Sequence, residues 1–225
     1  MSSPGSSAVV KGSRRSMRLA KRARASGRGG GRKRILAAAR QVFAGRSYTD
    51  VSMQDVASAA GVTKAALYYH FADKGELYLR MLEDLVEDIL VEERRVAAGP
   101  GTFEQRLTAL AKQASDMWET DLFRVMQDAH QHLGEARHTE VHAAMDRLSE
   151  PVQALFDAEY GSTGIDPRLA AALFQTTIAA LIMSTRAGHE GPVDPRVTDS
   201  DARARMAVGL FLHGIEGAAA TFEAS

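Results

Sequence analysis

From Gly31 onward the large apolar side chains return every three or four residues, and no run alternates in the way a half-buried strand requires. That period confines the chain to helices, and local signals divide them. Ile35, Leu36, Ala39, Val42 and Phe43 form one stripe that ends before Gly45. Ser52-Met53-Gln54-Asp55 has the hydroxyl-to-carboxylate spacing of an N-terminal cap, and Val56, Ala59 and Ala60 continue the helix it opens. Gly61 supplies the left-handed residue of a tight exit. Thr63 caps a third helix through about His70, with Leu67 and Phe71 facing inward. Asp73 opens a fourth, which places Leu77, Met81, Leu85, Ile89 and Leu90 on one face and Glu83, Asp84, Glu87, Asp88, Glu92 and Glu93 on the outer one.

Gly99-Pro100-Gly101 is the clearest break. Beyond it the pattern predicts helices at about 102–118, 121–134, 138–160, 167–187 and 202–222. The expected fold class is all-α. An N-terminal three-helix helix-turn-helix module (31–78) is joined by the fourth helix to a larger helical domain (79–225). With 45% hydrophobic residues in 225, the body can build a core. Residues 1–30 are rich in Ser, Gly and Arg and cannot bury enough surface to offset ordering, so that extension is expected to be disordered when free.

The zero net charge conceals a division. Residues 1–49 carry +13 with no acidic residue, and residues 50–225 carry −13. A basic head on an acidic body points to an anionic partner for the head, nucleic acid before membrane surface. No apolar run approaches the ~18 residues of a membrane span, and no secretory signal is present, so a soluble, cytoplasmic chain with no membrane partner is expected. Zero cysteines exclude disulfides, thiol nucleophiles and thiolate metal sites. No Ser-His-Asp arrangement, phosphate loop, dinucleotide fingerprint or paired-carboxylate motif appears, so an enzyme is not expected and no cofactor is implied.

Residues 52–71 make a helix, a glycine turn and a second short helix, the outline in which the second helix lies in a major groove. Its polar face carries Thr63, Lys64, Tyr68, Tyr69 and His70, donors and flat rings suited to phosphate oxygens. As an alternative, Tyr68 and Tyr69 are ordinary half-buried aromatics; adjacent helical residues point about 100° apart, which leaves at least one facing solvent.

Residues 33–82 resemble the DNA-binding region of the TetR family of transcriptional regulators. The resemblance rests on Ile35-Leu36…Ala39…Val42-Phe43, on Tyr48…Val51-Ser52-Met53…Val56-Ala57…Ala60-Gly61-Val62-Thr63-Lys64, and above all on Leu67-Tyr68-Tyr69-His70-Phe71…Lys74…Leu77. It implies that Lys33, Ser52, Thr63, Lys64, Ala65, Tyr68, Tyr69, His70 and Lys74 occupy DNA-facing positions. Two positions depart from the pattern: Ala65 stands where many members have glycine, and Gly75 where glutamate is common. Ala65 and Ala66 offer a base edge only methyl contact. The basic extension has two readings, a solvated tail or an arm that follows the DNA backbone.

The resemblance further implies a small-molecule cavity among helices 5–8. Trp118, Phe123, Met126, His130, Met145 and Thr177 are the lining candidates, with Gln127, His130 or Thr177 orienting a largely apolar effector. His138 and His142 stand four apart, a spacing that can hold a metal, but no third or fourth ligand is set by spacing; they are read as surface histidines and no metal is expected. The last two helices carry apolar and small-residue stripes, Leu169, Leu173, Thr176, Thr177, Ala180, Leu181 and Ser184 on one and Met206, Leu210, Phe211, Gly214, Ile215 and Ala218 on the other. In the family the corresponding pair joins a two-fold homodimer, which presents two reading helices to a palindromic operator.

The expected function is a ligand-responsive DNA-binding regulator, a repressor released from its operator when an effector moves helix 4. The alternatives are a constitutive architectural DNA binder that uses its basic arm, and an activator of the same fold.

Overall fold

The structure is a computed structural model that describes residues 30–119, 122–162, 166–184, 197 and 199–223, without the side chains of 118, 119, 122, 123, 136 and 215–223. The basic extension 1–29 lies outside the described residues. Among the described residues there is no strand. The chain divides into two compact units between Leu77 and Tyr78.

The first unit holds α1 (30–43), α2 (Met53–Ala59) and α3 (Lys64–His70). The apolar stripe of α1 is buried, with Ile35, Leu36, Ala39 and Phe43 at most 2% exposed, and Gly45 ends the helix at φ 72°. At the start of α2 the Ser52 hydroxyl accepts the Asp55 N–H (3.1 Å) while the Asp55 carboxylate accepts the Ser52 N–H (2.8 Å). That reciprocal pair satisfies two donors the helix itself cannot. Gly61, at φ 63°, turns the chain, and the Val62 N–H closes onto the Ala57 carbonyl at 3.0 Å. Thr63 then caps α3 by accepting the Ala66 N–H (3.1 Å). Leu67 and Phe71 are fully buried, and each contributes about 1.5–3 kcal/mol by leaving water.

Helix α4 (Lys74–Ala97) begins in the first unit and runs through the second. Asp73 caps it by accepting the Glu76 N–H at 2.8 Å. The second unit continues with α5 (Phe103–Glu119), α6 (Leu122–His132), α7 (Glu135–Asp146), α8 (Glu150–Tyr160), α9 (Pro167–Ser184) and α10 (Ser200–Glu223). Its core gathers Leu107, Leu110, Phe156, Phe174, Ile178 and Val208 from α5, α8, α9 and α10. Phe156 is the hub, with its ring centroid 5.2 Å from Phe103 and 5.6 Å from Phe211. The buried Arg203 guanidinium of α10 donates to the Ser115 hydroxyl of α5 at 2.6 Å, which partners the cation inside an apolar layer.

Four expectations are corrected. The segment 138–160 is not one helix: α7 ends at Asp146, a 3-10 turn spans Arg147–Ser149, and α8 starts afresh. Pro151 has no N–H to bond the carbonyl four residues back, and its ring clashes with that carbonyl, so a helix cannot run through it. The segment 202–222 is broken at Gly214, whose φ of 72° and ψ of −172° lie outside any helix. Helix α9 does reach span length, 18 residues at mean hydropathy 1.2. Gln175, Thr176 and Thr177 lie at its middle, and Ala170, Ala171, Phe174, Ile178 and Ile182 pack one of its faces into the core. Finally, Glu93 does not belong to the outer face of α4. It is 6% exposed.

Candidate nucleic-acid interface and effector cavity

One face of α3 is locked and the other is presented. Leu67 anchors the helix, while Thr63, Lys64 and Ala65 are exposed and Tyr68 and Tyr69 are 45% and 67% exposed. The Tyr69 ring meets the edge of His70, with centroids 5.4 Å apart. The Lys64 ammonium lies 5.9 Å from the Tyr68 ring centroid, so a cation and a hydroxyl-bearing ring occupy one patch. His70 is half-buried; its Nε2 lies 3.4 Å from where a Cβ on Gly31 would stand, so that glycine lets α1 pass close to the imidazole. Lys33, on the first turn of α1, is exposed, as is Ser52 at the α2 cap. The Ser52 N–H, and after it the Ser52 hydroxyl, lower the pKa of the Asp55 carboxyl from its ordinary value.

Lys74 is held differently from the rest. Its ammonium donates to the Tyr48 carbonyl (2.8 Å) and the Val51 carbonyl (3.0 Å), and sits 4.1 Å from the Tyr48 ring centroid. Two of its three protons are therefore committed to tying the α1–α2 loop to the start of α4.

In the second unit an apolar cavity of about 230 Å³ opens among α4, α5, α6, α8 and α9. Of the expected lining candidates, Met126 borders it. Leu110, Met117, Leu148, Val152, Phe174, Gln175 and Ile178 line it as well. Other candidates point elsewhere. Met145 is not among the lining residues, Gln127 is exposed, and Thr177 turns its hydroxyl onto the Leu173 carbonyl (2.9 Å). His130 faces outward toward His138 and His142. The side chains of Trp118 and Phe123 lie outside the described residues.

The polar group at the cavity is Glu93, whose Oε2 is buried with no hydrogen-bond partner. Burial pushes its carboxyl up to about 7, because an apolar wall disfavours the charged form. The sequence carries a signal for this: Glu93 falls four residues after Ile89 and three after Leu90, in phase with the apolar stripe. Its acidic neighbours mask it.

A short exposed helix, held by a glycine turn behind a buried stripe, defines a helix-turn-helix protein of the DNA-binding class. Residues 35–81 match the family described as "Bacterial regulatory proteins, tetR family". The HTH-type transcriptional activator FasR of Mycolicibacterium smegmatis is 37% identical over 90 residues, which are 40% of this chain and 41% of that protein. The matched stretch thus spans about two-fifths of that relative's length. Over the whole fold, a TetR/AcrR-family regulator of Thermobifida fusca is 26% identical with a TM-score of 0.57, covering 82% of this chain and 97% of that one. FadR of Bacillus subtilis, solved with stearoyl-CoA, has the same fold at 16% identity, with a TM-score of 0.65 over 81% of this chain and 98% of that one. The N-terminal helix-turn-helix unit is thus similar to that of TetR-family transcriptional regulators, and the whole fold resembles theirs.

Proposed function

We propose that the chain is a cytoplasmic transcriptional repressor, not an enzyme, that binds a palindromic operator as a homodimer and leaves it when a small effector occupies the cavity of the second unit. The observation that carries the DNA half is the exposed face of α3, where Thr63, Lys64, Tyr68 and Tyr69 stand out from an anchored helix. Ser52 and Lys33 extend that polar surface to the neighbouring helix starts. Hydroxyls, an ammonium and N–H groups at helix starts suit phosphate oxygens, and the Ala65 methyl suits a thymine methyl. Lys74 serves this surface from behind, by fixing the loop before α2.

Glu93 supports effector control. It sits on α4, the helix with residues in both units, so a ligand that meets this carboxyl acts directly on that helix. The cavity, at about 230 Å³, falls below the ~300–1,000 Å³ of pockets for drug-sized ligands. The effector is therefore small and largely apolar, with a cationic or hydrogen-bond-donating group for Glu93. FadR's stearoyl-CoA is a far larger ligand. FasR's name as an activator favours the opposite sign of control for this chain, so the test must read the sign.

Leu169, Leu173, Thr176, Ala180 and Met183 leave an exposed apolar strip on α9, at three- and four-residue spacing, and this is the face offered to a second copy. The test is footprinting on DNA that flanks the chain's own coding sequence, paired with a reporter, with and without small apolar amines and alcohols. A protected palindrome that such a compound releases, with rising reporter output, is expected. Equal binding to any duplex would reject the reading in favour of an architectural protein, and a reporter that falls on release would make the chain an activator. Removal of residues 1–28 tests the arm: the salt dependence of binding should flatten by nearly one unit for each phosphate that the arm neutralises.

A further inference from the structure

At the α6–α7 corner three imidazoles converge. His130, in the last turn of α6, brings its Nε2 to 3.2 Å from the Nε2 of His142 on α7. His142 Nε2 lies 3.1 Å from the Nε2 of His138, one turn earlier on the same helix. All three nitrogens lie within 4.8 Å of one another, and all three residues are exposed.

Hydrogen bonding does not account for this arrangement. A neutral imidazole nitrogen either carries a proton or offers one lone pair, so His142 Nε2 makes one good hydrogen bond at most and leaves its other neighbour opposed. Protonation would set like charges against each other at the same distance. A cation at the centre satisfies all three lone pairs together. Ligand nitrogens at the ~2.0–2.1 Å typical of zinc would stand about 2.8–3.4 Å apart for octahedral to tetrahedral angles, and the two contacts, at 3.2 and 3.1 Å, fall in that interval.

We propose that His130, His138 and His142 form a binding site for one divalent transition-metal ion of the zinc, nickel, cobalt and copper class. The donor set is all imidazole, which suits these borderline cations and not calcium or magnesium, which require oxygen ligands. Three protein ligands leave a further position for water or another small ligand. The ion ties the end of α6 to α7 across Gly134, whose φ of 70° makes the corner. His130 lies one turn from the cavity residue Met126, so the site braces one wall of the cavity.

The test uses the untagged full chain, stripped with chelator and titrated with zinc chloride by calorimetry. One equivalent per chain is expected, and H130A, H138A and H142A should each weaken binding by more than roughly tenfold, the least that loss of even an outer-shell partner costs. H132A, an exposed histidine of α6 outside the cluster, should leave binding unchanged. Cobalt(II) supplies a second readout: a visible d–d band should form on the wild type and be absent from the triple variant H130A/H138A/H142A. Circular dichroism checks that these surface variants remain folded. No binding up to about millimolar zinc, or equal stoichiometry in the triple variant, would overturn the proposal.

Discussion

The ammonium of Lys74 stands 2.8 Å from the carbonyl of Tyr48 and 4.1 Å from the centroid of its ring, so one side chain grips both the backbone and the aromatic face of a loop 26 residues away. The Tyr48 ring in turn stacks on buried Phe43, with an interplanar angle of 11°. The first turn of α4 is thereby fastened to the core of the N-terminal unit.

Replacing that ammonium leaves the Tyr48 and Val51 carbonyls without their charged donor. Hydrogen bonds to charged groups contribute about 1.5–3 kcal/mol, so K74M should lose about 2 kcal/mol of stability in urea titration. An unchanged midpoint would mean that solvent replaces the lock without cost, and that Lys74 is free to serve DNA directly.

Lys64 is exposed beside Tyr68 and has no such structural duty. If it meets a phosphate, K64A should weaken operator and non-operator DNA alike and reduce the slope of log affinity against log salt by about 1. Fluorescence anisotropy at several salt concentrations reads this directly. A slope that does not move would remove Lys64 from the interface.

Glu93 should make stability depend on pH in a defined direction. Its carboxyl titrates near 4.5 in the unfolded chain and at about 7 when folded, so the folded state holds the proton more tightly. The associated stability is fully present below pH 4.5 and is lost as pH rises through 7. At about 1.4 kcal/mol per pH unit, the fall is of order 3 kcal/mol. Chemical denaturation from pH 5 to pH 8 should show it for the wild type and not for E93Q. A parallel fall in E93Q would place the titration elsewhere.

Leu173 is 54% exposed on α9, at the centre of the strip assigned to the second copy. L173E would bury an unpaired charge at that interface, so sedimentation should show a dimer for the wild type and a monomer for the variant. Operator affinity should fall with it, because two half-sites are then bound independently. A variant that remains dimeric would move the interface to another face.

The N-terminal unit is almost wholly legible from its residues. Its signals act over short spans: the Ser52–Asp55 cap, the Gly61 turn, the Thr63 cap, and the stripe that puts Leu67 and Phe71 inside. Each is decided by backbone hydrogen bonding or steric freedom over one helical turn, and the family motif runs through the same stretch. In the second unit the helices are legible but not their breaks. Pro151 and Gly214 are visible as residues, but the apolar period runs past both and hides the breaks they make.

Sequence by itself settled the all-helical architecture, the helix-turn-helix and the separation of charge, because these follow from periodicity, capping and composition, which are properties of neighbours along the chain. Tertiary structure alone decided that Glu93 faces an apolar cavity, that Thr177 and Met145 do not line it, and that His130 joins His138 and His142. The reason is geometric. Adjacent helical positions differ by about 100° in direction, and which direction is inside depends on the helices that pack around it. Residues twelve apart, such as His130 and His142, meet only because a left-handed glycine folds one helix back beside another.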